Sequence, residues 1–187
     1  MGREEKLRYL LSALGNPFAS PFLAEFFTPL TFTRPPKGLA DNPITLNSKE
    51  SYTVVERHKE TGIVRAAFVA SDSPYLRYAV EYEAPPKFSV SWDYSAAELY
   101  FLGLDERTPV GPYVTQYGTV THPYTLASVD VYAIYFAPEP ITAFYDGLIE
   151  AKIYNPLDTS INVWLVHFER WRAKDEYVDL LREYLES

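Results

Sequence analysis

The sequence contains no cysteine. Disulfide bridges, thiolate metal sites and cysteine nucleophiles are therefore excluded. Methionine and glutamine occur only once each, as Met1 and Gln116, whereas there are 15 prolines. Few thermolabile residues and many prolines are typical of proteins from hot environments, so we expect a thermophilic source.

Long apolar runs and a basic surface are also missing. No apolar run approaches the ~20 residues that a membrane-spanning helix needs, and residues 1–6 do not form a signal-peptide pattern. We therefore expect synthesis in the cytoplasm and no membrane span. The formal net charge of −8 argues against a nucleic-acid partner, because phosphate binding requires clustered basic residues.

Aromatic residues, in contrast, are abundant: the 187 residues include 16 Tyr, 11 Phe and 3 Trp. Such side chains suit half-buried strands and adhesive surfaces, because each carries a large contact area at a low cost in conformational entropy.

Residues 1–32 are predicted to form an N-terminal helical arm. Leucines spaced as on one helix face lie between Arg3 and Leu14, and Ser20-Pro21 is typical of a second helix start. This arm contains a cluster of large apolar residues: Phe18, Phe22, Leu23, Phe26, Phe27, Leu30 and Phe32. They either pack at the edge of the chain's own core or form an interface with a neighbouring subunit. Residues 33–50, rich in Pro, Gly and Asn, are predicted to be a linker.

From residue 51 the apolar pattern alternates, which predicts a β domain over residues 51–171. The predicted strands are 52–57, 63–70, 75–83, 88–92, 110–117 and 129–136, with a turn at residues 60–62. Two further strands within 144–171, joined by the turn 155–158, are predicted to form a central hairpin. A capping box at Ser95 and Glu98 predicts one short internal helix ending at Gly103.

These elements predict a mainly β fold, an antiparallel β-sandwich of jelly-roll type. The helical arm precedes the sandwich, and residues 172–187 form a C-terminal helix after it. Strand 110–117 contains Gly111 and Pro112, so we expect it at an edge, while strand 129–136 is expected at the centre.

No motif for catalysis is present. His58, His122 and His167 are too far apart in sequence for a local metal signature, and we expect no metal and no cofactor. No serine lies in a G-x-S-x-G motif, and no glycine-rich loop joins a strand to a helix.

The carboxylates offer one alternative. Glu81, Glu83 and Asp93 form a loose group, with Asp105 and Glu106 further along the chain. Paired acids can hydrolyse glycosides, but Glu81 and Glu83 are predicted to face solvent, where a raised pKa is not expected.

A second alternative involves the stretch 113–117, in which Tyr113 and Tyr117 could form a sugar-stacking surface. Aromatic platforms bind carbohydrate through apolar ring faces, although a core or interface role is commoner in a chain this rich in tyrosine.

Three segments within residues 62–168 resemble β-sandwich virion proteins, the tail- or capsid-associated proteins of tailed phages and similar viruses. Residues 62–65, 71–74 and 80–82 (GIVR, SDSP and VEY) resemble their first hairpin. Residues 144–148 (FYDGL), with 153–156 and 159–161, are similar to their closing hairpin, and residues 98–104 to their short helix. The resemblance implies a structural role and carries no catalytic residue over.

We therefore expect a non-enzymatic structural or assembly protein, a component of a virion or other particle, that contacts copies of itself or other structural proteins and forms a homo-oligomer. The alternatives are a carbohydrate- or ligand-binding β-sandwich module and a carboxylate-based hydrolase.

Overall fold

A computed structural model describes residues 24–34, 43–85, 88–107, 111–122, 125–137 and 144–186, together with Gly2 and Glu5. This part of the chain is mainly β, as predicted. Its nine strands are β1 (Phe27–Arg34), β2 (Ile44–Leu46), β3 (Ser51–Ser71), β4 (Arg77–Ala84), β5 (Phe88–Ser95), β6 (Gly111–Thr121), β7 (Ser128–Ala137), β8 (Phe144–Tyr154) and β9 (Ile161–Ala173). Helix α1 is Ala96–Phe101, a 3-10 turn is Asp175–Tyr177, and helix α2 is Val178–Glu186.

All nine strands belong to one antiparallel sheet. Its main order is β1-β9-β3-β8-β4-β5, β2 also pairs with β9, and β7 joins β3 to β6. Strand β3 is the centre of this sheet, because its first half pairs with β8 and its second half with both β9 and β7. A division of the strands into the two sheets of a sandwich stays a prediction.

The predicted turn at residues 60–62 is wrong, because β3 runs through it as a single strand of 21 residues. Gly62 is buried in the middle of this strand. A Cβ atom there would lie 2.3 Å from the backbone oxygen of Trp171 and 2.7 Å from the hydroxyl of Tyr145. Glycine is therefore needed at this position because the neighbouring strands approach too closely for a side chain. The sequence around Gly62 does not distinguish this role of glycine from a role in a turn.

The predicted central hairpin is also wrong. Strands β8 and β9 do lie in the interior of the sheet, but β3 is inserted between them. The segment that links them does contain the expected turn chemistry, since Asn155 accepts a hydrogen bond from the backbone N–H of Leu157 at 2.9 Å. Its side-chain amide also donates to backbone oxygens of Leu46, Asn47 and Thr159. Likewise β3 and β4 are not paired, so neither segment that resembles a virion-protein hairpin is a paired hairpin in this sheet.

Several local predictions are confirmed. In β4, Tyr78, Val80 and Tyr82 are buried, as their alternation predicts. Ser95 caps α1 in a capping box with Glu98. Strand β7 lies between β3 and β6, and among the described strands β6 pairs with β7 alone, so the expected central and edge positions are both confirmed.

The core consists of two clusters of buried side chains. The larger contains residues from β2 to β9 and α1, and within it the ring of Trp92 in β5 lies 4.4 Å from that of Phe136 in β7. The smaller joins Phe26 and Phe27 to Ile63, Phe144, Trp171 and Leu181. This second cluster fixes the start of β1 and helix α2 on the same end of the sheet.

The predicted boundaries at both ends need correction. Residues 24–26 are helical, but Phe27–Arg34 is a strand of the main sheet rather than part of a helical arm, and the predicted linker contains β2. Pairing with β9, which places Phe27 opposite Ala173, overrides the local helical signal. At the other end β9 extends to Ala173, so helical structure begins at Asp175 rather than at residue 172. The predicted helix over residues 3–14 lies almost entirely outside the described residues.

Candidate functional site

The predicted interface residues do not form one exposed surface. Phe26 and Phe27 are almost completely buried in the chain's own second core cluster, where the Phe26 ring meets Tyr177 edge-on at 4.9 Å. Leu30 and Phe32 in β1 are half-buried, and Phe32 packs against Tyr52 with the ring centres 6.3 Å apart. Phe26, Phe27 and Phe32 therefore stabilise their own chain, whereas the interface role of Leu30 stays a prediction. Phe18, Phe22 and Leu23 lie outside the described residues, and their interface role stays a prediction.

The predicted tyrosine platform is split by a β-bulge. Tyr113 pairs with Tyr135, and Tyr117 pairs with Tyr132, with a register shift between Val114 and Gln116. Because residues 132 and 135 of a regular strand point to opposite faces, the two β6 tyrosines also point to opposite faces. A sugar-stacking surface made of Tyr113 and Tyr117 is therefore wrong for this fold.

Tyr117 instead belongs to an exposed aromatic patch, which we define as Tyr75, Tyr100, Phe101, Leu102 and Tyr117. Their exposed fractions are 53%, 60%, 89%, 58% and 38%. The rings of Tyr100 and Tyr117 stack in parallel with their centres 4.1 Å apart, which joins α1 to β6. Exposed apolar groups are ordinary when scattered, but adjacent ones mark interaction sites.

The patch adjoins the open edge of β6. On the outer side of this strand the described residues form only one isolated bridge, between Asp105 and Val114. From Gln116 to Thr121 the register with β7 is regular, and in the described part of the chain no strand pairs on the other side. No residue of β6 is charged. Natural edge strands are usually protected against pairing with another chain by charges, prolines or short length. Beyond Pro112, strand β6 has no such protection apart from the bulge.

The sequence did indicate that β6 is an edge strand, through Gly111 and Pro112. It could not indicate the aromatic patch, because α1 and β6 come together only through the fold.

A buried polar cluster lies at the centre of the sheet. The Glu60 carboxylate accepts hydrogen bonds from the Tyr145 hydroxyl and from Arg170 Nε, both at 2.6 Å, and lies 3.0 Å from His58 Nε2. The side chains of Glu60 and Arg170 are only 9% and 14% exposed. Strands β3, β8 and β9 each contribute to the cluster, so it ties the three central strands together.

The electrostatics of the cluster favour a fixed ion pair. Burial raises the pKa of Glu60, but hydrogen bonds from Tyr145, Arg170 and His58 outweigh this effect, and the pKa lies below its usual value. Burial and the nearby Glu60 carboxylate raise the pKa of Tyr145. Glu60 therefore stays ionised and Tyr145 stays protonated at neutral pH. A general acid would need the opposite shift of the carboxyl pKa.

The carboxylates that suggested a hydrolase do not form a buried pair. Asp93 is bound to Arg77 at 2.9 Å, Glu83 accepts from the backbone N–H of Leu148 at 3.0 Å, and Glu81 is exposed. Asp105 forms an exposed ion pair with Arg107.

The three histidines are in separate places. His58 belongs to the polar cluster, His167 is 2.8 Å from the Thr33 hydroxyl, and His122 accepts a hydrogen bond from the Thr125 backbone N–H at its Nδ1 atom. Among the described residues, no three His, Asp or Glu side chains are grouped as metal binding would require. In the same part of the chain, no helix has the length and apolar character needed to span a bilayer.

Comparison of the chain with models of known protein families, and with curated protein sequences, found no match.

Proposed function

We propose that this protein is a non-enzymatic structural protein that assembles with further copies of itself, as a component of a virion or another particle. The contact that we propose is edge-to-edge pairing of strand β6 with β6 of a second copy. The open and uncharged edge of β6 is the observation that supports the proposal most directly.

Backbone groups on an open edge can form hydrogen bonds with an added strand, and this mode of association needs no special side-chain motif. The regular part of β6, residues 116–121, would supply the pairing. The net charge of −8 opposes association of two copies in general, so contact is favoured where charges are absent. The β6 edge meets this condition.

The aromatic patch would enlarge the contact. Tyrosine and phenylalanine are enriched in interfaces, and a strand edge alone buries little apolar surface. Tyr117 is on β6, and its stacking on Tyr100 places the exposed residues Phe101 and Leu102 beside the edge.

The proposal includes a sandwich arrangement of the bent sheet. The contact of Trp92 with Phe136 supports it, because these residues lie in β5 and β7, which are not neighbours in the sheet. Strand β5 is connected to β3 through β4 and β8, whereas β7 pairs with β3 directly. A two-layer body would present β6 along one side, where a second copy can reach it.

The test is the solution mass of the full chain, measured by light scattering after size-exclusion chromatography at micromolar concentration. We expect a defined oligomer. The variant Thr119→Lys should be a monomer, since lysine on a strand edge opposes pairing. In the single chain the new lysine would face Asp130, whose carboxylate is hydrogen-bonded to Thr119 at 2.7 Å, so the fold should tolerate it.

A matched control is Ser91→Lys on β5, a second edge strand, which ends the main strand order. Ser91 is exposed and pairs with an acidic residue, Glu81, just as Thr119 pairs with Asp130. This control should keep the oligomer. A monomeric wild-type chain, or equal effects of the two lysines, would refute β6 pairing.

A chain that begins at Ala24 tests the remaining part of the predicted arm. It removes Phe18, Phe22 and Leu23 but keeps β1 and the second core cluster. If this chain dissociates while Thr119→Lys does not, the interface lies in the N-terminal segment rather than at β6.

A further inference from the structure

A cavity of about 370 Å³ lies on the face of β6, β7, β3 and β9 that points away from the main core. The register explains its position, because Ala70 pairs with both Ala133 and Leu165, and Ala133 pairs with Gln116. Ala70 and Ala133 thus form a row of small side chains across the middle of the four strands. Larger neighbours, among them Phe68 and Trp164, form its walls.

The lining is apolar apart from one side. Its eight apolar residues come from all four strands, and its three polar residues are Thr115, Gln116 and His122, which lie in β6 or directly after it. No lining side chain is aspartate, glutamate, lysine or arginine. Ligand sites commonly combine a mostly apolar surface with a few polar groups that fix orientation. Here those groups all lie on the β6 side of the cavity, with Thr115 and Gln116 adjacent and His122 six residues further along the chain.

From this arrangement we propose that the cavity binds the hydrocarbon chain of an uncharged, single-chain lipid-like molecule such as a long-chain alcohol. The hydroxyl lies beside Gln116 and Thr115, and the chain crosses the Ala133–Ala70 row toward Trp164 and Leu165. Three strand spacings separate the outer strands of the group, which gives a groove about 14 Å long.

The volume and the charges define the ligand further. An apolar cavity of about 150 Å³ holds benzene, with its six carbons, so about 370 Å³ suits a molecule of roughly 12 to 15 carbons. A fatty acid has a similar chain, but its carboxylate would find no cation among the lining residues. Burial of an unpaired charge is costly, so the uncharged head group is preferred.

The test is isothermal titration of the full chain with 1-octanol, 1-decanol, 1-dodecanol, 1-tetradecanol and 1-hexadecanol. We expect one site per chain, with affinity rising roughly fourfold for each added methylene until the chain fills the cavity, and no further gain for longer alcohols. Decanoate at neutral pH should bind at least tenfold more weakly than 1-decanol. The absence of saturable binding, or equal binding of decanoate, would overturn the proposal.

Two cavity variants locate the site. Val131→Phe places a ring in the cavity and should reduce 1-decanol affinity at least tenfold, whereas Ser128→Phe adds the same ring on the opposite face of β7 and should leave it unchanged. Should Val131→Phe fail to fold, Val131→Ala provides the converse measurement, since the enlarged cavity should shift the best-binding alcohol toward longer chains. Unchanged affinity in Val131→Phe, or an unchanged chain-length preference in Val131→Ala, would refute this location.

The site is independent of self-association. Thr119 is on β6 but is not among the lining residues, so Thr119→Lys should bind 1-decanol as the wild type does. A chain that stays monomeric yet binds the alcohol would therefore refute the proposed assembly and leave the cavity site intact.

Discussion

Replacing Asn155 with alanine should be one of the most damaging single substitutions outside the apolar core. Asn155 has no exposed surface. Its amide nitrogen lies 3.1, 2.8 and 2.7 Å from the backbone oxygens of Leu46, Asn47 and Thr159, and its side-chain oxygen accepts from the Leu157 N–H at 2.9 Å. One side chain thus joins the end of β2 to the segment between β8 and β9.

The expected loss follows from these contacts. Each hydrogen bond contributes about 1 kcal/mol net, and a buried group left without a partner costs about 1–3 kcal/mol. Water entering the space left by Asn155→Ala would satisfy part of the backbone. We expect the free energy of unfolding to fall by about 3–5 kcal/mol, and the melting temperature by roughly 6–20 °C for a chain of this size.

Urea unfolding followed by tryptophan fluorescence measures this loss, since Trp92 and Trp171 are buried. Asn155→Asp distinguishes the loss of hydrogen bonds from the loss of side-chain volume, because aspartate has almost the same volume as asparagine. It keeps the acceptor for the Leu157 N–H but places a carboxylate oxygen against the three backbone oxygens. Its folded pKa should be raised, so its stability should fall further as the pH rises above about 4. A loss below about 1 kcal/mol in Asn155→Ala, against the estimate above, would refute this reasoning.

Three other substitutions test the central strand and the internal helix. Gly62→Ala should lower the free energy of unfolding by about 1–3 kcal/mol or more, because the new Cβ meets the rigid backbone oxygen of Trp171; melting curves that match the wild type would contradict this. Glu60→Gln should cost about 3–5 kcal/mol at neutral pH, because it leaves the buried positive charge of Arg170 without a compensating negative charge. The pKa of Glu60 is lower in the folded chain than in the unfolded chain. The wild type therefore has the full stabilisation from the ion pair at pH values above the usual glutamate pKa, and loses it as the pH falls through the pKa of Glu60 in the folded chain. The difference between the two chains in urea should therefore shrink in acid, and a difference independent of pH would be evidence against the ion pair. Ser95→Ala should cost about 1 kcal/mol through loss of the helix cap, detectable in the same assay, and no measurable loss would contradict the capping box.

Local structure was predictable wherever neighbouring residues decide it. The alternation in β4, the capping box at Ser95 and the edge position of β6 all follow from short-range patterns, and each is present. The turn at Asn155 is also present, but it does not make a hairpin, because β3 takes the place beside both strands. Pairing between distant strands depends on packing across the whole sheet, which a turn signal does not contain.

The candidate sites were less predictable for the same reason. Glu60 is separated by 85 residues from Tyr145 and by 110 from Arg170, and no pattern around Glu60 indicates either partner. Phe26 and Phe27 were correctly identified as strongly apolar, but whether they contact their own chain or another depended on β1 pairing with β9. The cavity arises from Ala70 and Ala133, which are far apart in sequence and are unremarkable in their own strands.

The central position of β3 also determines when the protein can fold during synthesis. Strand β3 ends at Ser71, and its neighbour β8 begins only at Phe144. At about 5–20 residues per second, the roughly 70 residues between them take about 4–15 s to translate. During that time most of a long, β-prone strand has emerged without its partners, and the chain depends on such distant contacts for much of its sheet. The nascent chain therefore exposes an unpaired central strand until β8 and β9 are made, and the strand order predicts slow folding.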